Sequence, residues 1–183
     1  MLARVHALLV AMLRGNPTLI LGSCSVCAKR AGELTGPNLT DRGKRGTKYH
    51  IAVTDDGVPV ACLATAANVN DAVTFERLFL TAFAVLVRIQ TVLADKGCDA
   101  EANRALCRTF GAEPHIHKRG CPHGAGLGRR RWPVERSNAW LLENMPPYPS
   151  PSALIHSADS QRLGGMRVCV DGTDSLRCGE RAG

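Results

Sequence analysis

The order of apolar segments constrains the fold of this chain more than any other feature. Four segments have the length and composition of strands: 18–24, a hairpin at 48–63, 89–94 and 113–117. Three have the three- and four-residue apolar spacing of helices: 71–86, 100–110 and 133–142. The resulting order of strand, hairpin, helix, strand, helix, strand, helix is typical of a mixed α/β domain.

Local signals place the ends of several elements. Asp55-Asp56-Gly57 predicts the hairpin turn, Asp71 a helix cap, Gly111 a helix stop, and Pro133 the first turn of the last helix. We expect the first hairpin strand to have one wetter face, because Lys48 and His50 alternate with Tyr49, Ile51 and Val53.

The length of 183 residues, with 45% hydrophobic content, predicts one ordinary core. We assign this core to residues 16–142, a helical remnant to 1–15, and an irregular tail to 143–183, which opens with the proline-rich stretch Pro146–Pro151. No cleavage site follows Met1–Arg14, and no run approaches the roughly 20 apolar residues of a membrane span. We therefore expect a soluble, cytoplasmic protein.

A net charge of +7 favours a polyanionic partner such as nucleic acid or an acidic membrane surface. The basic side chains most consistent with a DNA-binding track are Arg42, Lys44, Arg45, Lys48, Lys118, Arg119, Arg129, Arg130, Arg131 and Arg136. The alternative is an ordinary solvated surface. Trp132 and Trp140, eight residues apart on the last predicted helix, are expected to be core anchors rather than base-stacking platforms.

Two carboxylates occupy positions suited to chemistry. Asp95 follows a buried strand, and Glu135 lies in the first turn of the last predicted helix, beside Arg131 and Arg136. Carboxylate oxygens bind Mg²⁺ while arginines hold phosphates, so the pair is consistent with metal-assisted phosphoryl chemistry. The alternative is a turn residue and a helix-dipole partner, with no catalytic role.

Eight cysteines are scattered through strand-like and helix-like segments, and we expect them to be reduced. A zinc site could be assembled from Cys24, Cys27, His115, His117, Cys121 and His123. We disfavour it, because alternation along a strand would point Cys24 and Cys27 to opposite faces.

Four ordered blocks resemble the DDE transposases of bacterial insertion sequences, specifically insertion-sequence family five, which is related to family four. The blocks are Ala28–His50, Ala66–Asp71, Ala94–Asp99, and Leu127–Arg136 followed by Ala139-Trp140-Leu141. Their order along residues 16–142 is far more specific than any single motif.

The resemblance implies an RNase H-like fold, with a mixed five-stranded sheet flanked by helices and, here, a disordered C-terminal tail. It also implies three acidic residues that hold two divalent ions, Mg²⁺ or Mn²⁺, of which Asp95 resembles the second and Glu135 the third. The implied activity is phosphodiester cleavage and strand transfer on double-stranded DNA at element ends, by a possible homo-oligomer.

This sequence departs from the family pattern in four places. Gly22 stands where the family has its first catalytic aspartate, and Cys98 stands where it usually has tyrosine. The segment before the core is short, and the tail after Leu142 looks frameshifted. We therefore expect little or no cleavage. The alternatives are a non-catalytic DNA-binding remnant and a gene fragment that folds poorly, and Asp41, Asp55, Asp56 or Asp71 could replace the missing ligand.

Overall fold

The computed structural model describes residues 18–28, 34–86, 88–120, 127–144 and 167–170. The predicted N-terminal remnant and most of the predicted tail lie outside these ranges. The strands are β1 (Thr18–Cys27), β2 (Gly36–Pro37), β3 (Arg45–Thr54), β4 (Pro59–Ala66), β5 (Thr91–Ala94), β6 (Glu113–Ile116) and β7 (Arg167–Val170). The helices are α1 (Asp71–Leu86), α2 (Glu101–Thr109) and α3 (Leu127–Asn144), with a 3-10 turn at Lys96–Cys98.

The strands form one mixed sheet in the order β6-β5-β1-β3-β4-β7, with β2 added beside β3. β1 runs antiparallel to β3 and parallel to β5, and β6 continues the parallel side. The carboxyl ends of β1, β5 and β6 therefore open at the same edge. The expected mixed RNase H-like sheet flanked by helices is confirmed, but it has seven strands and not five, because β2 and β7 add to β6, β5, β1, β3 and β4.

The two faces of the sheet are covered by different helices, as alternation along β1 requires. Leu19 and Leu21 pack with Phe75 and Phe79 of α1, in a cluster that extends to α2. Ile20 instead packs with Val134 of α3. The central strand is thus buried on both sides, and successive β1 residues face opposite layers.

The expectation of one wetter face on the first hairpin strand was wrong. His50 is only 2% exposed and Ala52 is fully buried, because α1 covers the face of β3 opposite α3. His50 is accommodated by hydrogen-bonding distances of 2.9 Å from Nε2 to Thr65 Oγ1 and 3.2 Å from Nδ1 to Thr74 Oγ1. A buried imidazole is tolerated where its two nitrogens find partners.

Two helix starts differ from the prediction. Asn70 caps α1, since its Oδ1 accepts from the backbone N–H of Ala72 at 3.0 Å, and Asp71 is the first helical residue. α3 begins at Leu127, so that Pro133 lies inside the helix rather than in its first turn. Proline without a backbone N–H leaves one helical hydrogen bond unmade there.

The expectation that both tryptophans are core anchors was wrong. Trp132 is 52% exposed and Trp140 is 56% exposed. The buried positions of α3 include Val134, Ser137 and Leu141, at the spacing of one helical face, and both indole rings lie off that face.

Within the predicted irregular tail, the structure describes one element. β7 pairs in parallel with β4 through four residues, a strand that the tail's composition did not predict. In the described part of the chain, no helix is both long and apolar enough to cross a bilayer.

Candidate active site

Asp95 lies at the carboxyl end of β5, as predicted, and it has two kinds of partner. Its Oδ1 accepts from the backbone N–H of Gly97 at 2.9 Å, which caps the 3-10 turn. Its Oδ2 lies 3.6 Å from Nη2 of Arg131, which reaches in from α3 and also donates to the carbonyl of Leu21 at 3.4 Å. A guanidinium therefore joins the end of β5 to the middle of β1.

Gly22 occupies β1 on the face covered by α3. A Cβ built on Gly22 would lie 2.9 Å and 3.1 Å from the two methyl carbons of Val134, and 3.6 Å from Asn138 Nδ2. Val134 is fully buried and β-branched, so it has little freedom to turn away. The space that a side chain at position 22 would need is filled by α3.

The side chain of Glu135 is exposed and makes no ion pair with Arg131 or Asp95 among the described contacts. The positions of α3 that face β1 and Asp95 are Arg131, Val134 and Asn138, whereas the side chain of Glu135 is exposed. The pairing of Asp95 with Glu135 suggested by their sequence positions is thus not seen as a direct contact. Because α3 starts six residues before Pro133, Glu135 lies in its third turn and not beside the helix N-terminus.

Of the four aspartates named as possible replacements for the missing ligand, Asp71 is the one that lies beside Asp95. Asp71 is the first residue of α1, and its carboxylate and that of Asp95 lie on either side of Gly97. A Cβ built on Gly97 would lie 2.6 Å from Asp71 Oδ2 and 3.0 Å from Asp95 Oδ1. The cleft at this edge is lined by Gly22, Ser23, His50, Asp71, Asp95 and Cys98, among others. Asn70 fills the role of helix cap that the sequence had suggested for Asp71, which leaves the Asp71 carboxylate on the cleft.

Two cationic or protonatable side chains face Asp71. Its Oδ1 lies 3.2 Å from Nδ1 of His50 and 3.4 Å from Nζ of Lys48. Burial acts to raise the pKa of Asp71, but His50, Lys48 and Ser23 together bring it below the ordinary value. Asp71 is therefore ionised at neutral pH and already has its countercharge.

Unpartnered buried atoms cluster around this edge. Among the described side chains, the buried nitrogen and oxygen atoms without a hydrogen bond are Asp71 Oδ1, Arg131 Nε and Asn138 Oδ1. Asp71 Oδ1 nevertheless lies within ion-pair distance of His50 and Lys48. Buried polar atoms normally find partners, so these three atoms are exceptions in the described part of the chain.

The residues present do not fit a two-metal centre. Gly22 has no ligand atom, Asp95 faces Arg131, Asp71 faces Lys48 and His50, and Glu135 is exposed. Within the described ranges, no three His, Cys, Asp or Glu side chains come together in a way that could hold a metal ion. We therefore derive no reaction step through a metal.

The basic residues divide into two groups. Two of the ten proposed DNA contacts turn inward: Arg131 towards Asp95, and Lys48, which also donates to the carbonyl of Val69 at 2.8 Å. The other eight are exposed: Arg42, Lys44, Arg45, Lys118, Arg119, Arg129, Arg130 and Arg136. Arg119 donates its Nε–H to the carbonyl of Lys96, which fixes it beside the edge that carries Asp95.

Cys24, Cys27, Cys62, Cys98 and Cys107 are free thiols. Cys24 and Cys27 differ in environment: burial raises the pKa of Cys24 to about 11, whereas the exposed Cys27 donates to Asp41 Oδ2 at 3.0 Å. Cys98 is buried beside Asp95, and burial raises its pKa strongly. Cys121 and His123, required by the zinc hypothesis, lie outside the described residues.

Comparison with known proteins identifies a family. Residues 24–145 match the family model described as Transposase DDE domain. A putative transposase for insertion sequence element IS402 from Burkholderia cepacia is 44% identical over 114 residues, which cover 58% of this chain and 54% of that protein. The chain thus spans about half the length of this curated relative.

Similar solved structures come from retroviruses. The simian T-cell lymphotropic virus intasome in complex with PP2A regulatory subunit B56 gamma gives a TM-score of 0.45 at 16% identity, covering 78% of this chain and 46% of that one. The HTLV-2 integrase catalytic core domain in complex with magnesium gives 0.43 at 14% identity, covering 79% and 84%.

Proposed function

Because the chain belongs to the DDE transposase family, we propose that it is an insertion-sequence transposase core that binds DNA but cleaves it little or not at all. Within that family, we assign the chain to insertion-sequence family five, which is related to family four. Double-stranded DNA at element ends is the partner. The alternative is a non-catalytic DNA-binding remnant of a transposase. It predicts the same result, which is DNA binding without strand cleavage.

The observation that carries the loss of cleavage is the packing of Val134 on Gly22. The resemblance implies a carboxylate at this position, and here neither the oxygen atoms nor the space for them is present. Arg131 Nε and Asn138 Oδ1 remain buried and unpartnered on the facing helix. Loss of a shared metal ligand removes several kcal/mol of transition-state stabilisation, which corresponds to roughly a thousandfold or more in rate.

The exposed basic side chains support retained DNA binding. Eight of them are exposed, on the segment that leads into β3, at Arg45 where that strand begins, on the segment after β6, and on α3. Lys44 also pairs with Asp41 at 3.5 Å. Arginine and lysine contacts to phosphate bind duplex DNA without sequence preference and weaken as salt displaces them. Occupying element ends without cutting them would let this chain compete with an intact transposase or co-assemble with it.

The test combines binding and cleavage on DNA that carries the element ends. We expect the unmodified chain to bind duplex with a steep salt dependence and to yield no strand cleavage with Mg²⁺ or Mn²⁺. Arg129→Ala with Arg130→Ala should reduce the slope of log affinity against log salt by about 0.9 for each phosphate that these arginines neutralise. The matched control is Arg77→Ala, a basic residue of α1 outside the proposed track.

Restoring the carboxylate tests the cause of inactivity. Gly22→Asp should be tested together with Val134→Ala, because the single substitution leaves the new side chain against Val134. Metal-dependent cleavage by the unmodified chain would contradict the proposal. Salt-insensitive binding, or no binding, would contradict its DNA-binding half.

A further inference from the structure

The outward face of α3 carries an aromatic ring with an arginine stacked on it. The guanidinium carbon of Arg136 lies 4.8 Å from the centre of the Trp132 ring, and half of the Trp132 surface is still exposed with Arg136 in place. From this arrangement we propose that Trp132 is a stacking platform for an unpaired base of a DNA strand. The proposal rests on the DNA-binding function proposed above.

The arrangement around Trp132 is fixed before any ligand binds. Arg136 lies between the indole ring and the β3–β4 turn, where a Cβ built on Gly57 would be 2.7 Å from Arg136 Nη2. Ser137 Oγ donates to the carbonyl of Gly57 at 3.4 Å and holds the same turn against α3. A platform that is already ordered loses less side-chain entropy when a base stacks on it.

The position of Trp132 relates the platform to the candidate site. Arg131, the preceding residue of α3, points inward to Asp95, so a strand with a base on Trp132 would be bound to the same helical turn that reaches Asp95. Arg129 and Arg130 are exposed on the adjoining turn and can hold the phosphates of that strand.

Charge selects DNA as the occupant over a second copy of this chain. Exposed Arg129, Arg130 and Arg136 outnumber the exposed Glu135 and Glu143 on α3, and the whole chain carries a net charge of +7. Two such surfaces would repel each other, whereas a polyanion is attracted.

The base must be unpaired, because the faces of paired bases are covered by their neighbours in the duplex. Stacking on aromatic side chains is sequence-tolerant, since every base has a π-face, and arginine adds a cation–π contribution. A DNA duplex would therefore contact the arginines of this surface through its phosphates, without a base stacking on Trp132.

The experiment uses the fact that the chain contains two tryptophans. Trp140→Phe leaves Trp132 as the reporter, and Trp132→Phe leaves Trp140, about 12 Å further along the helix by its rise per residue. We expect a short oligothymidylate to quench the fluorescence of Trp132 more than that of Trp140. An abasic strand of the same length should bind through its phosphates without this quenching.

Affinity gives a second readout. Trp132→Ala should weaken binding of oligothymidylate by roughly tenfold while leaving the abasic strand within about twofold. Val73→Ala, a change of an exposed apolar residue on α1, is the matched control and should alter neither. Because Trp132 is exposed, its replacement should keep the thermal unfolding midpoint of the chain.

The outcomes separate this proposal from the function on which it rests. Binding of both strands with equal affinity and no quenching would overturn base stacking and leave the DNA-binding function standing. Absence of binding to any DNA would overturn both. A change in Trp132 fluorescence that follows protein concentration without DNA would assign the surface to a second copy and overturn stacking.

Discussion

Val134 Cγ2 lies 2.9 Å from the point where a Cβ on Gly22 would be placed, closer than two such carbons approach without a shift. The glycine therefore sets how near α3 comes to the central strand. This contact ties the missing carboxylate to the packing of the whole layer.

Gly22→Ala should destabilise the protein by about 1–3 kcal/mol, because an added methyl group in a packed core forces neighbours apart. Val134→Ala in the same chain should recover much of this loss by clearing the space. Urea unfolding of the two single variants and the double variant would measure the coupling. Additive effects would show that the two side chains do not compete for the same volume.

Asp71→Asn should lower the free energy of unfolding at neutral pH by about 1–3 kcal/mol, because it removes the charge that Lys48 and His50 face. The folded-state pKa of Asp71 lies below its ordinary value of 3.8. Its contribution is therefore complete above that value and is lost as the pH falls through the folded-state pKa.

The difference in stability between the unmodified chain and Asp71→Asn should accordingly be constant from pH 5 to 7, about one unit or more above the ordinary aspartate pKa, and shrink at lower pH. Asp56→Asn, in the exposed hairpin turn, is the control and should show little difference at any of these values. A difference that grows on acidification would show that Asp71 is not stabilised as an anion.

Cys27 should react with iodoacetamide before Cys62 and Cys107, which are buried. Its hydrogen bond to Asp41 raises the pKa of its thiol, which lowers the fraction of reactive thiolate. Asp41→Asn should speed alkylation of Cys27 severalfold and leave Cys62 and Cys107 protected, as peptide mass spectrometry would show. Equal rates in both proteins would mean that the carboxylate does not hold the thiol proton.

Periodicity was enough to predict the elements that build the layers, because those residues are buried by the same alternation that the sequence displays. Leu19 and Leu21 face one helix layer while Ile20 faces the other, and the hairpin turn lies at Asp55-Asp56-Gly57. The position of Asp95 followed in the same way, since a parallel strand delivers its last residue to the open edge.

The contacts between layers could not be read from local pattern. Whether Glu135 or its neighbours face β1 depends on the rotation of α3, and Pro133 gave a misleading start for that helix. Asp71 had an adequate local role as a cap, and only the packing of α1 beside β5 brings it to Asp95. The exposure of both tryptophans likewise depends on which face of α3 the sheet covers.

The pairing of β1 also sets an order in which the chain can be assembled. One edge of β1 pairs with β3, which follows it closely in the sequence. The other edge pairs with β5, where Thr18 lies opposite Thr91, so this pairing forms only after β5 has been synthesised. During synthesis the nascent β1 therefore presents an unpaired edge until the ribosome has passed β5. Such an edge is prone to join another chain, so a stall between the two strands would favour aggregation over native folding.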